Sequence, residues 1–344
     1  MKIIVSTKSF YPLLGGSIVF AEMMAEAFTR AGHEVILITR TPGTSLIPTE
    51  YKILRQPSFY CLIKLAKWAD VVLQVDASWR DVIPFLLHNV PWVPTVHRGK
   101  PPYRGLGVRQ RLLLAIESAG YRVGNTIGVA DYVIKNWKIK SPAIPNPYND
   151  LCYRAPESNA IRDIDILFVG RITRDKGVFV LLEALKILGN SGVRRKIVFV
   201  GIGPALDELR MASEAMENDY DFFFPGLEVS NAVATWMRRS KVLAFPTTPD
   251  WLEASPLTPL EAAACGCKVV AANIGGTIEN VSSSHWLVKS GCVESLVQGL
   301  IDALDSDLGK IDQETKRFLA DRTLDHIADR YLNHFISLGD IRVK

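Results

Sequence analysis

One pattern, met twice in succession, constrains this chain more tightly than any other feature. It runs short apolar stretch, glycine turn, helix-period segment, short apolar stretch. KIIVS (Lys2–Ser6) is an unbroken apolar stretch followed by a loop ending in Gly15-Gly16. Residues 17–31 then carry Val19, Phe20, Met23, Met24, Ala27 and Phe28 on one side at helical spacing. Gly32 closes that segment, and Val35–Thr39 is the next apolar run. Apolar runs separated by helices are the mark of a parallel sheet covered on both faces, so the chain opens a doubly wound α/β domain. Strands at Val71–Val75, Val93–His97 and Thr126–Val129 and a helix over 108–120 continue it.

SPAIPNPYNDLCYRAP (residues 141–156) places four prolines among Asn and Asp, which breaks helix and strand alike. A domain boundary is expected there, giving domains of 1–147 and 148–323. A second alternation follows, with strands at Ile164–Gly170, Lys196–Gly201, Phe222–Phe224, Val242–Phe245 and Lys268–Ala272. Helices are expected at Val178–Leu188, Ala205–Met216, Ala232–Arg239, Pro256–Cys265 and, in the tail, about 293–304, 311–320 and 324–338. The last carries Ile327, Ala328, Tyr331, Leu332, Phe335 and Ile336 on one face, so it packs onto something.

Charge and composition narrow the function classes. Residues 1–150 carry 18 Lys and Arg against 10 Asp and Glu, a net +8; the remainder carries 22 against 26, a net −4. The basic excess is densest at Arg98, Lys100, Arg104, Arg109 and Arg111. No nucleic-acid module is visible, so an anionic membrane or lipid phosphate is the better partner for it, with a solvated surface as the plain alternative. No apolar run nears the roughly 18–20 residues of a membrane span, and MKIIVSTKSF reads as a strand rather than a signal peptide. Five cysteines without a CxxC pair argue against a disulfide framework. A cytoplasmic protein, peripheral on the membrane face, is the expectation.

The chemistry concentrates at strand ends. Gly15-Gly16 bares the backbone before a helix, for close approach of a phosphate or sugar, or because a turn needs positive φ. In VGRITRDKG, Arg171 and Lys176 put two cations at the mouth of the second sheet, where they suit a diphosphate or form a solvated basic loop. VGIGP supplies Gly203 but not the third glycine of a dinucleotide fingerprint. His97 ends a strand, as a general acid or base or as a hydrogen-bonded structural residue. DID (Asp163–Asp165) and DSD (Asp305–Asp307) do not lie at carboxyl ends of strands and are read as structural. Within Lys241–Val281, Ser255 is the expected N-cap and Pro256 the first helical residue, with Gly266 just past the end. Glu253 and Glu261 flank that helix start with seven residues between them. Pro256 and Pro259 lack N–H groups, so Leu257 and Thr258 are its main amide donors.

In order, YPLLGG and AGHEV, VGRITRDKGVFVLLEAL, VGIGP, FPG, EASPLTPLEAAACGCKVV and GGTIE resemble glycosyltransferase family 4, the retaining nucleotide-sugar transferases of GT-B fold. The resemblance implies two Rossmann-like domains with a cleft between them and a final helix crossing back to the first. It implies a nucleotide diphosphate-sugar as co-substrate, with no cofactor and no essential metal, and a glycan or lipid-linked acceptor; nucleic acid is not a partner. Arg171 and Lys176 would clamp the diphosphate, Glu261 would accept from the ribose, and Glu253 would sit at the transferred sugar. Gly15, Gly16 and His97 would face the cleft from the acceptor domain, and Gly226 and Leu227, after Phe224, would lie near the base. The chain departs from the family at Ser255-Pro256, where Phe-Gly is common, and at Asn146-Pro147, where Asn-Gly is usual. A non-catalytic nucleotide-sugar binder, an exported two-lobed binding protein, and an epimerase or phosphorylase of the same fold are the alternatives.

Overall fold

The computed structural model describes residues 1–13, 15–43, 49–75, 79–99, 107–156, 161–189, 194–250, 252–307 and 311–339. The chain divides into two compact units, Met1–Pro147 with Arg322–Lys344, and Tyr148–Asp321.

The first unit holds β1 (Lys2–Thr7), α1 (Gly16–Arg30), β2 (Glu34–Thr39), β3 (Lys52–Arg55), α2 (Phe59–Trp68), β4 (Val71–Val75), α3 (Trp79–Leu87), β5 (Trp92–Val96), α4 (Val108–Val123), β6 (Ile127–Gly128) and α5 (Asp131–Trp137). Its six strands lie in the order β3-β2-β1-β4-β5-β6, all neighbours parallel. β1 is central, with Ile3 opposite both Val35 and Val71, and Ile3, Ile4 and Val5 are fully buried. That explains why β1 has no polar alternation: both of its faces are covered.

The second unit repeats the plan with β7 (Ile164–Val169), α6 (Val178–Gly189), β8 (Arg195–Val200), α7 (Leu206–Glu214), β9 (Tyr220–Gly226), α8 (Ser230–Arg239), β10 (Ser240–Phe245), α9 (Leu257–Ala264), β11 (Lys268–Ala272), β12 (Trp286–Val288), α10 (Val293–Leu304) and α11 (Gln313–Ala320). The strand order is β12-β11-β10-β7-β8-β9, so β7 is central and the order reverses beside it. Its loop and that of β10 therefore stand at the switch point, where such sheets bind ligands.

The last helix, α12 (Leu324–Ser337), belongs to the first unit and packs on α1. Phe28 meets Phe335 at 5.7 Å, Phe20 meets Tyr331 at 5.9 Å, and Arg30 pairs with Asp325 at 2.5 Å. Ile336, read from sequence as part of the packing face, is 62% exposed, so the buried stripe ends at Phe335.

Several expectations shift. β3, α2, α3 and α5 occupy stretches to which no element is assigned from sequence. β3 is a half-exposed edge strand, α2 begins with exposed Phe59 and Tyr60, α3 contains Pro84, and α5 has only seven residues. The strand expected at Thr126–Val129 is two residues long, as β6 pairs only at Ile127 and Gly128. At α9, Pro256 rather than Ser255 is the N-cap and Leu257 the first helical residue. The Ser255 hydroxyl accepts from Asn280 Nδ2 at 2.9 Å, so it braces the following turn rather than capping the helix. Gly266 follows α9 at φ +81°, as a helix terminus of this kind requires.

Asp163 is held by Arg239 at 2.5 Å and Lys196 at 3.2 Å, which keeps its carboxyl well below the usual carboxylate range. Asp165 is held by Lys241 at 2.6 Å. These acids clasp the starts of neighbouring strands, at the edge opposite the ligand-binding loops.

Candidate active site

The loops at the carboxyl ends of β7, β8 and β10 touch backbone to backbone. Gly177, at φ +75°, closes the 3-10 turn Arg174–Lys176, and a Cβ there would lie 1.9 Å from the Pro246 carbonyl oxygen. A Cβ on Gly203 would lie 2.2 Å from the Ile172 carbonyl oxygen. Glycine is thus demanded at both places by close approach of main chain. Hydrogen bonds stitch the same loops: Thr248 N donates to Asp175 O at 2.9 Å, Ile172 N to Ile202 O at 2.9 Å, and Gly276 N to Glu253 O at 2.8 Å.

This stitching brings Lys176 and Glu253, 77 residues apart, into an ion pair, with side chains only 15% and 10% exposed. The Thr247 hydroxyl donates to the same carboxylate oxygen, Oε1, at 3.3 Å. The Lys176 ammonium also stands 5.8 Å from the Phe245 ring centroid. The pair is largely desolvated and stands at the switch point of the second sheet. Arg171, on the same loop as Lys176, is different in kind: it is well exposed and pairs with Asp175 at 3.8 Å.

Glu261 lies inside α9 and is 8% exposed. Its carboxyl has no hydrogen-bond or ion-pair partner among the described residues. Burial pushes its pKa up to about 8; burial, followed by the neighbouring Glu261 carboxyl, also raises those of Tyr153 and Cys152. A buried carboxyl without a partner is costly, and such groups cluster at functional sites. At the start of α9 no side chain among the described residues caps the helix, so the Leu257 and Thr258 amides have no side-chain cap. Gly226, at φ +85°, has open space where a Cβ would be, and Leu227 beside it is exposed.

In the first unit, Gly15 and Gly16 both have open space at the Cβ position, and Gly15 is extended at φ 170°. Neither a positive φ nor packing against the described residues requires these glycines. His97 follows β5; its Nε2 is 2.9 Å from Thr95 Oγ1, and its ring lies 4.4 Å from that of Phe20 on α1. Arg98 is committed to Glu117, at 2.6 Å, and stands over Trp137, whose indole donates to the Arg98 carbonyl at 2.8 Å. Lys100 and Arg104 lie outside the described residues. Arg109 and Arg111 are exposed on α4.

Thr247 is the site residue that the sequence reading missed. The signal available was its place directly after Pro246, where β10 ends.

A doubly wound pair of six-stranded parallel sheets is the fold of the GT-B glycosyltransferases. Residues 154–318 match the family model of glycosyl transferases group 1. WcaL of Escherichia coli K12, named for colanic acid biosynthesis as a glycosyltransferase, is 30% identical over 151 residues, covering 42% of this chain and 37% of that protein. The WcaL of Salmonella typhimurium is 27% identical over 173 residues, covering 49% and 41%. This chain thus spans about two fifths of the length of these curated relatives. Among solved structures, Anabaena HepE in complex with UDP and glucose superposes with a TM-score of 0.77, at 16% identity over 98% of this chain and 100% of that one.

Proposed function

We propose that this chain is a metal-independent hexosyltransferase, moving a sugar from a nucleotide diphosphate-sugar to a glycan or lipid-linked acceptor in surface polysaccharide or glycolipid synthesis. The observation that carries the reading is the desolvated Lys176–Glu253 pair at the switch point of the second sheet, near the uncapped start of α9. The relatives named for polysaccharide synthesis and the neighbour of this fold that holds UDP and glucose support it.

Cleavage of the sugar–diphosphate bond builds negative charge on the leaving phosphate and positive charge at the anomeric carbon. Arg171, Lys176 and the Leu257 and Thr258 amides stabilise the first charge; Glu253 orients the sugar and stabilises the second. Glu261 accepts from the ribose hydroxyls, and Gly203, Gly226 and Leu227 line the path of the nucleotide. On the acceptor side, Gly15, Gly16 and His97 stand at the carboxyl edge of the first sheet. Transfer keeps the anomeric configuration, by same-face attack assisted by the departing phosphate.

Thermal stabilisation across UDP, GDP, ADP and TDP, each without metal and with chelator, identifies the donor. Arg171→Ala with Lys176→Ala is expected to abolish that stabilisation and to lower turnover by at least about 100-fold, since each charge-assisted contact is worth roughly 1.5–3 kcal/mol. Wild-type stabilisation of the double variant refutes the diphosphate assignment, and an inverted product anomer refutes retention.

No helix among the described residues is long and apolar enough to cross a membrane. A peripheral contact is supported instead by α4, where Val108, Leu112, Leu113 and Ile116 are exposed with Arg109 and Arg111 among them. Exposed apolar side chains flanked by arginines suit an anionic lipid surface. Sedimentation with phosphatidylglycerol vesicles, lost in Leu112→Ser with Leu113→Ser and weakened by salt, is the expected result. Absence of binding by the wild-type chain refutes it.

A further inference from the structure

We infer that Thr247 is a positioning residue for sugar transfer, acting through Glu253; this rests on the reading of Glu253 as the group at the transferred sugar. Both donors on the Glu253 carboxylate converge on one oxygen. Lys176 Nζ and Thr247 Oγ1 each bond to Oε1, and Oε2 receives no hydrogen bond from the described residues. The two oxygens therefore have different jobs: Oε1 is held by the protein, and Oε2 is left to meet the sugar.

A lysine by itself does not create that difference. Its ammonium is a rotatable point charge on a flexible stem and does not set the plane of a carboxylate. A threonine hydroxyl on fixed main chain does. Thr247 is 1% exposed, and its carbonyl accepts from Ser290 Oγ at 2.7 Å. On either side, the Pro246 carbonyl oxygen abuts Gly177 and Thr248 N is bonded to Asp175 O. The same short segment thus braces the loop that carries Lys176 and orients the carboxylate that Lys176 meets. Rotation of that carboxylate by a few tens of degrees would move Oε2 off its target while leaving the charge in place, a loss of orientation rather than of binding.

The split between kcat and KM tests this, using the diphospho-sugar that stabilises the wild-type chain most and following release of its nucleoside diphosphate. Thr247→Val is expected to lower kcat about ten-fold with KM for the donor within about two-fold of wild type, and Thr247→Ser to restore kcat to within about three-fold. Thr247→Ala, which removes atoms without adding bulk, is measured alongside and is expected to match the valine variant. Wild-type kcat in either hydroxyl-free variant, or an equal loss in the serine variant, overturns the inference. Glu253→Gln separates it from the reading beneath. Full turnover in that variant overturns the role of Glu253 itself, whereas its failure beside a fully active Thr247→Val overturns the role of Thr247 alone.

Discussion

Replacing Glu261 by glutamine is expected to make the protein more stable and, on the proposed function, worse at binding a nucleoside diphosphate. The carboxyl is buried within α9, has no partner among the described residues, and has its pKa pushed by burial from 4.5 up to about 8. An acid whose pKa is raised on folding favours the folded state least where the unfolded chain would be ionised. Its penalty is absent below about pH 4.5, grows as pH rises, and is complete above about pH 8. At pH 7 the chain must hold a proton there across about 2.5 pH units, a cost of about 3 kcal/mol at 1.36 kcal/mol per unit. At pH 5 the same cost is below about 1 kcal/mol. Glu261→Gln keeps the shape and removes the ionisation, so it returns most of that energy at pH 7 and little at pH 5. For a unit of this size, the midpoint should rise by roughly 6–12 °C at pH 7. Thermal unfolding of the full chain at the two pH values reads the effect, and calorimetric titration with the nucleoside diphosphate reads the loss of binding. A variant destabilised at pH 7, or stabilised equally at both pH values, refutes the placement of an isolated carboxyl inside α9. A variant that is stabilised and binds normally refutes the ribose role alone.

The other expectations concern the frame of the site. Gly203→Ala sets a Cβ 2.2 Å from the Ile172 carbonyl oxygen, main chain that has nowhere to go, so the loops after β7 and β8 must part. On the proposed function, affinity for a nucleoside diphosphate should fall at least ten-fold by titration, and an alanine variant with wild-type affinity refutes the close contact. His285 is half-buried with its Nε2 enclosed, and burial followed by Lys268 pushes its pKa down from 6.5 to about 4. Its contribution to stability is therefore complete above about pH 6.5 and is lost as pH falls through 6.5 towards 4, by up to about 3 kcal/mol. Urea midpoints between pH 7.5 and 4 should fall less steeply in His285→Gln, and an unchanged acid limb refutes the neutral imidazole.

Much of the architecture is legible in the residues because parallel sheets write it plainly. β1, β4, β7 and β10 are buried along most of their length and read as short, mostly apolar runs. Elements with one foot in solvent do not read so well. β3 is an edge strand with no fully buried residue, and α3 carries a proline within its length. Ser255 shows the limit at finer scale. Its side chain suits an N-cap, but Asn280 claims the hydroxyl at 2.9 Å from a turn 25 residues away. Local propensity could not report that competitor.

The candidate site divides along the same line. By itself the sequence determined which residue types stand at which strand ends: Arg171 and Lys176 after β7, Glu253 and Glu261 about α9, Gly15-Gly16 before α1. Those placements follow from chain order, because a parallel sheet delivers every such loop to the same edge. Only the tertiary structure decided which partner each residue meets there. It joined Lys176 to Glu253, left Arg171 in solvent with Asp175, set Thr247 on Oε1, and sank Glu261 without a partner among the described residues. It also committed Arg98, read from sequence as part of a basic face, to Glu117. The physical reason is that pairing and desolvation are properties of side chains brought together across the fold. Periodicity and spacing describe a chain against itself; the cost of a buried charge, and the partner that offsets it, exist only once the strands have packed.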